Sequence, residues 1–112
     1  MAARRVRVDA TLAALADPDR RRAVELLVRR PMRAGELAEA LDLPPPTMSR
    51  HLRALKQSGL IEETHPAFDA RVRIYSIRAG AMRDLRAWLD EAERLWTDQL
   101  AAFKAHLEKR RR

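Results

Sequence analysis

The sequence predicts a mainly α-helical domain that carries one small β-hairpin. Its 112 residues suit a single domain. Apolar residues recur at helical spacing along most of the chain, and the period changes from 3.6 to 2 only after Gly59. Just before that change a tight turn separates two short helices, and a long helical pattern closes the chain. This order predicts a winged helix-turn-helix, with the hairpin as the wing.

The first two helices are predicted from apolar spacing and from the capping signal that lies between them. Residues 8–16 place apolar side chains on one helical face. Asp17 suits an N-cap, and Pro18 suits the first helical position, because a missing N–H costs nothing there. We therefore expect the second helix to cover residues 18–29.

The next two helices form the predicted helix-turn-helix. Residues 34–41 have leucine and alanine on one face, and a tight turn follows at residues 42–44. The second helix of the pair is expected near residues 46–57, where apolar residues recur at i, i+4 and i+7. The buried stripe of that helix is predicted to consist of Met48, Leu52 and Leu55.

Period-two alternation predicts the hairpin over residues 60–77. Its first strand is expected to end near His65, and residues 66–70 form the predicted tip. The second strand is predicted over residues 71–77, with Tyr75 half-exposed on the same face as two arginines. An isolated hairpin is marginally stable, so we expect this one to pack against the helices.

The last predicted helix begins at Gly80 and carries an apolar stripe over nearly 30 residues. Such a helix is about 40 Å long, whereas a 112-residue globule has a radius of gyration near 13–14 Å. The stripe therefore needs a second chain, and we expect the first and last helices to form a dimer interface. The predicted interface residues are Val8, Leu12, Leu15, Leu85, Trp88, Leu89, Leu95, Trp96, Leu100, Phe103 and Leu107.

The charge of the chain is unevenly distributed. The net charge is +7, and residues 43–61 contain no acid but include Arg50, Arg53 and Lys56. A purely basic segment on the second helix of a helix-turn-helix indicates binding to DNA, because that helix enters the major groove. The predicted DNA-contacting residues are Thr47, Ser49, Arg50, His51, Arg53 and Lys56 on the helix, and Arg71 and Arg73 on the wing.

Several function classes are disfavoured by composition. The chain has no cysteine, which excludes disulfides, thiolate metal sites and a cysteine nucleophile. Ser49 and His51 are two positions apart on a helix and face different directions, so they form no nucleophile–base pair, and we expect no enzyme activity. No apolar run is long enough to span a bilayer. We expect a cytoplasmic, nucleoid-associated protein.

Four segments of the chain resemble the ArsR family of bacterial winged helix-turn-helix repressors. They read ALADPDRRRAVELL (14–27), GELAEALDL (35–43), PTMSRHLRALKQSGLIE (46–62) and RVRIYSI (71–77). The resemblance implies a homodimer joined through its first and last helices, with the helix near 46–57 reading an operator and the hairpin touching flanking DNA. It also implies repression of the protein's own operon and an inducer, a small molecule or a protein.

Two departures from the family pattern matter. Where metal-sensing members carry paired cysteines, this chain has residues 36–39 without a thiol, and on the last helix Asp84 lies far from His106. We therefore expect the metal-independent type, with no metal and no cofactor. Pro44 and Pro45 stand where the family usually has polar residues, so readout shifts to Thr47, Ser49, Arg50 and Arg53, or to DNA shape.

The sequence leaves two alternatives to a sequence-specific regulator. One is a winged-helix module that binds protein, and the other is a non-specific architectural DNA-binding protein. The acid-free segment favours DNA, whereas salt dependence and sequence preference would separate a specific from an architectural protein. We expect one domain over residues 1–112, with residues 1–7 and 109–112 as frayed basic tails.

Overall fold

The computed structural model describes residues 2–111, which form five helices and a three-stranded antiparallel sheet. This mainly helical architecture with a small sheet confirms the predicted fold class. The elements in chain order are α1 (Ala2–Leu15), α2 (Pro18–Arg29), β1 (Met32–Arg33), α3 (Ala34–Leu41), α4 (Pro45–Gln57), β2 (Ile61–Thr64), β3 (Ile74–Ile77) and α5 (Arg83–Arg111).

Local capping sets the helix boundaries near the helix-turn-helix. The Asp17 side chain accepts hydrogen bonds from the amides of Asp19 and Arg20 at the start of α2. At the end of α3, Asp42 takes the left-handed conformation with φ of 54°, and at the end of α4 Gly59 does so with φ of 84°. In both cases the following amide bonds the carbonyl five residues back, which closes the helix and turns the chain.

The sheet has the order β1-β3-β2 and so contains a strand that the sequence analysis missed. Met32 pairs with Tyr75, and β2 pairs with β3 along its whole length. A two-residue strand carries no period-two pattern, so nothing in the sequence marks it. The loop between β2 and β3 covers residues 65–73, longer than predicted, and Arg71 and Arg73 lie in this loop rather than in a strand.

The core lies between α2, α3, α4 and the sheet. Its most buried large side chains are Leu37, Met48, Leu52, Leu55, Leu60 and Ile61. Tyr75 is also buried, and its predicted half-exposed position is wrong. The reason is that β3 is the central strand: the face that carries Tyr75 is the one the helices cover, which strand alternation alone does not specify.

The long helix α5 extends well beyond the rest of the chain. It starts at Arg83, three residues later than predicted, because Gly80 adopts a φ of 76° in the preceding turn. The molecule measures 73 × 31 × 21 Å, with a radius of gyration of 19.5 Å. Among the described helices, none is both long enough and apolar enough to cross a membrane.

The predicted frayed tails are helical where the structure describes them. α1 begins at Ala2 and α5 continues to Arg111, and Met1 and Arg112 lie outside the described residues. Both segments extend an existing helix, where each added residue gains a backbone hydrogen bond without a new nucleation step.

Candidate nucleic-acid interface

Helix α4 presents one polar face away from the core. Met48, Leu52 and Leu55 face inward and are buried, so the opposite side of the helix points to solvent. That side carries Ser49, Arg50 and Arg53, which are all exposed and which we call the outward face of α4. Arg53 lies three positions after Arg50 and four after Ser49, which places its side chain in one row with theirs on the helix surface. This row has the length and chemistry to meet base edges and phosphates in a DNA groove.

The first turn of α4 offers fewer backbone donors than an ordinary helix start. Pro44 is the N-cap, and Pro45 and Pro46 occupy the first two helical positions, so Thr47 supplies the first amide N–H of the helix. Arg50 Nη2 lies 3.5 Å from the half-buried Thr47 hydroxyl. Because the prolines remove the usual amide donors, anion recognition at this end depends on side chains.

His51 does not share the outward face. Its side chain is only 14% exposed, and its Nε2 lies 3.9 Å from Asp19 Oδ2 at the start of α2. The side chain of His51 is thus largely covered where α4 packs on α2, and its DNA-contacting role stays a prediction. The imidazole lies between α4 and the capped start of α2.

The wing, defined as β2, the loop 65–73 and β3, carries the remaining predicted cations. Arg71 is almost fully exposed and its Nε is 3.3 Å from Asp69 Oδ1. Arg73 is exposed and points toward Glu63. Phe68, within the predicted hairpin tip, is 84% exposed in this loop. The wing thus brings two arginines and one aromatic ring to the surface.

Glu63 on β2 connects the wing to α4 and was missed by the sequence analysis. Its Oε1 accepts a hydrogen bond from the Tyr75 hydroxyl at 2.9 Å, and its Oε2 lies 3.4 Å from Lys56 Nζ. The Tyr75 hydrogen bond is the main reason that the pKa of Glu63 is lowered; burial opposes this effect, and Lys56 adds to it. Burial and the same carboxylate raise the pKa of Tyr75. The role of Glu63 could have been found by pairing the two predicted hairpin strands, since Glu63 and Tyr75 are direct partners across them.

One group of side chains in the described part of the chain has metal-ligand geometry. Ligand atoms of Asp17, Asp19 and His51 lie within 4.8 Å of one another. Asp17 already accepts two amide hydrogen bonds, and Asp19 pairs with Arg22. Both carboxylates therefore have protein partners, and helix capping and an ion pair explain why these side chains lie close together.

The predicted dimer-interface residues divide into two sets. Val8 and Leu85 are buried within their own chain, where α1 packs on α5, and Leu15 packs against the core. These three side chains are covered within a single chain, and their place in a dimer interface stays a prediction. The residues that stay exposed are Leu12, Trp88, Leu89, Leu95, Trp96, Leu100, Phe103 and Leu107.

Comparison with known proteins identifies relatives at the level of sequence. The profile of the bacterial regulatory protein arsR family matches residues 17–63. The chain is 39% identical over 90 residues to the HTH-type transcriptional regulator Rv2034 of Mycobacterium tuberculosis, covering 80% of this chain and 78% of that protein. It is 32% identical over 76 residues to the transcriptional repressor SdpR of Bacillus subtilis, covering 68% and 81%.

Solved structures share the fold over most of the chain. An ArsR family transcriptional regulator, RHA00566, aligns with a TM-score of 0.70 at 33% identity, covering 81% of this chain and 91% of that one. An ArsR-like transcriptional regulator from Rhodococcus sp. RHA1 aligns with a TM-score of 0.73 at 26% identity, covering 88% and 90%. With a matching helix-turn-helix, a wing and these relatives, the chain belongs to the ArsR family of bacterial transcriptional regulators.

Proposed function

We propose that this regulator is a dimeric, sequence-specific DNA-binding repressor that acts on its own operon. The observation that carries the proposal is the outward face of α4, where Ser49, Arg50 and Arg53 are exposed within a segment that contains no acid. In this arrangement α4 lies in the major groove, with base edges within reach of Arg50 and Ser49. The wing arginines, Arg71 and Arg73, contact flanking backbone or minor groove. The repressor role is supported by the similarity to SdpR of Bacillus subtilis, a transcriptional repressor.

The homodimer is supported by the exposed apolar stripe of α5. Large side chains from Trp88 to Leu107 stay exposed in one chain, and the helix extends beyond the domain that it belongs to. Contiguous exposed apolar surface of this kind marks an interaction site. A second copy with two-fold symmetry would cover the stripe and present two α4 helices to half-sites about 34 Å apart or a multiple of that distance.

Membership of a regulator family confirms that the chain is not an enzyme. Two other functions remain distinguishable from the proposal. A protein-interaction module would bind no DNA, and an architectural protein would bind all duplexes alike with a steep salt dependence. The inducer is a separate matter: we propose a small molecule or a protein, in keeping with the expected absence of a metal or cofactor.

A gel-shift titration tests the proposal directly. The labelled probe is the duplex immediately upstream of the protein's own reading frame, the competitor is unrelated duplex, and two salt concentrations are used. A discrete complex that resists competitor supports an autoregulatory repressor. Salt-sensitive smearing on both duplexes would identify an architectural protein, and the absence of any complex would favour a protein partner.

A further inference from the structure

The carboxylate of Glu63 lies among cations from two different elements. Lys56 Nζ, from α4, is 3.4 Å from Oε2, and Arg73 Nη1, from the wing loop, is 3.9 Å from Oε1. His65 Nε2, also on the wing, is 3.8 Å from Oε2. The carboxylate is only 15% exposed, whereas the Lys56 and Arg73 side chains are 53% and 66% exposed. One shielded acid therefore touches the two proposed DNA-contacting elements at once.

A hydrogen bond from the core restrains the Glu63 carboxylate. Its direct partner across the antiparallel pair is Tyr75, whose buried ring belongs to the core and whose hydroxyl donates to Oε1 at 2.9 Å. A charge-assisted hydrogen bond from a buried donor restrains the carboxylate, so its position relative to the sheet is well defined. Lys56 and Arg73, in contrast, are long side chains that would otherwise move freely in solvent.

We propose that Glu63 is a positioning residue for DNA recognition, which holds Lys56 and Arg73 on one carboxylate and thereby limits binding to unrelated DNA. The inference rests on the proposed DNA-binding function and names a residue that sets its specificity. DNA phosphates and Glu63 compete electrostatically for the same two cations. The carboxylate also repels any phosphate that approaches this edge.

The competition affects cognate and unrelated DNA differently. On a cognate site, contacts along the outward face of α4 hold the DNA backbone in a fixed position. In that position Lys56 and Arg73 can both leave Glu63 and bind phosphates at the same time. On unrelated DNA those contacts are absent, so nothing holds phosphates beside both cations, and the lost pairs with Glu63 are replaced less completely. Removing the negative charge should therefore strengthen unrelated binding more than cognate binding. Each cation newly free to neutralise a phosphate adds about 0.9 to the slope of log affinity against log salt.

The test compares Glu63→Gln with Glu62→Gln. Glu62 is the exposed neighbour on β2 that pairs with Ser76, so its variant changes net charge equally. The probes are the tightest duplex that wild-type protein selects from a random pool and a scrambled duplex of equal length. For Glu63→Gln we expect about fivefold tighter binding to scrambled duplex, a steeper salt slope on it and a smaller selected-to-scrambled affinity ratio. Glu62→Gln should keep the wild-type ratio.

A double-mutant cycle separates positioning from simple charge removal. In the wild-type background, Lys56→Gln and Arg73→Gln should have non-additive effects on the affinity for the selected duplex, because the two cations share one carboxylate. In the Glu63→Gln background the same two changes should add. Tyr75→Phe keeps every charge but releases the carboxylate, and should lower the affinity ratio in the same direction.

The outcomes are distinguishable. Equal affinity ratios and salt slopes for the Glu63 and Glu62 variants would overturn the inference, and so would additive effects of the two cation variants in the wild-type background. If wild-type protein selects no duplex, the proposed function itself fails. Urea unfolding of each variant checks that it folds. If Glu63→Gln does not fold, the selected-to-scrambled affinity ratio of Tyr75→Phe is the deciding measurement. An unchanged ratio for that variant would contradict the positioning role.

Discussion

Gly59 and Gly35 differ in the backbone conformation that each position requires. Gly59 closes α4 with a φ of 84°, and an added Cβ there would lie 3.1 Å from Arg78 Nη1. Gly35 lies in the first turn of α3, in ordinary helical conformation, with nothing within 4 Å of an added Cβ. Only the first position needs glycine, because side-chain-bearing residues rarely adopt that backbone conformation.

We predict opposite stability changes for alanine at these two positions. Gly59→Ala should lower the free energy of unfolding by about 1 kcal/mol through the left-handed backbone, and the flexible end of Arg78 should move aside at small further cost. Gly35→Ala should raise it by about 0.5 kcal/mol, because alanine restricts the unfolded chain. Urea denaturation of both variants measures the difference. Changes of the same sign would show that backbone conformation is not what distinguishes the two sites.

At the scale of elements, α3 is fastened to β1 by a carboxylate at its first turn. Glu36 accepts a hydrogen bond from the Arg33 amide and also pairs with Arg30. The Arg33 amide is the main cause, and Arg30 the second, of a pKa of Glu36 below its ordinary value of 4.5. The start of the helix-turn-helix is thus tied to the preceding strand by an ionised side chain.

This lowered pKa predicts a stability loss in acid. A carboxylate whose pKa is lower in the folded state stabilises the fold fully above its unfolded value of 4.5, and the contribution disappears as pH falls through the folded pKa. We expect the free energy of unfolding to decrease below about pH 4.5, and Glu36→Gln to make this decrease shallower. Urea titrations at several pH values test it, with Glu39→Gln on the same helix as the control. An unchanged acid dependence for Glu36→Gln would contradict the prediction.

The outward face of α4, the proposed DNA-reading surface, can be tested separately from the buried face of the same helix. Arg50→Ala and Arg53→Ala should each weaken binding to selected duplex by about 1–3 kcal/mol, through lost base or phosphate contacts. Both side chains are exposed, so melting temperatures should stay near wild type. Arg29→Ala, at the exposed end of α2, is the matched control in a fluorescence-anisotropy titration. Wild-type affinity for the selected duplex in both α4 variants would show that α4 does not contact the DNA.

At the scale of the whole molecule, α5 divides into a packed beginning and an exposed remainder. Its beginning packs on α1, with Leu85 buried and Arg7 paired with Asp84. Its later turns carry exposed apolar residues, among them Trp96 at 62% exposure. One continuous stripe in the sequence therefore serves intrachain packing first and the proposed dimer afterwards.

We predict that Trp96→Ala weakens the dimer and leaves the single-chain fold intact. Burial of this ring against a partner would make truncation cost about 3–5 kcal/mol in dimerisation. Sedimentation equilibrium across micromolar concentrations measures the dimer. Leu85→Ala serves as the contrasting variant, because Leu85 is buried in its own chain and its truncation should lower unfolding stability instead. A Trp96 variant with the wild-type dissociation constant would exclude this stripe from the dimer interface.

The sequence alone predicted the features that depend on local signals. Asp17 and Pro18 indicated where α2 begins, Gly59 where α4 ends, and the 3.6-residue spacing of Met48, Leu52 and Leu55 the buried side of α4. Each of these is determined by the backbone preferences and periodicity of neighbouring residues. The resemblance to ArsR regulators rested on the same local segments, and the relatives confirm it.

Only the tertiary structure decided which side chains meet across distant segments. The third strand, the burial of Tyr75, the inward position of His51 and the contact of Glu63 with Lys56 and Arg73 all join residues from different elements. Their positions follow from how α2, α4 and the sheet pack together. Strand alternation leaves open which face is covered, and helical spacing leaves open which neighbour a half-buried side chain touches.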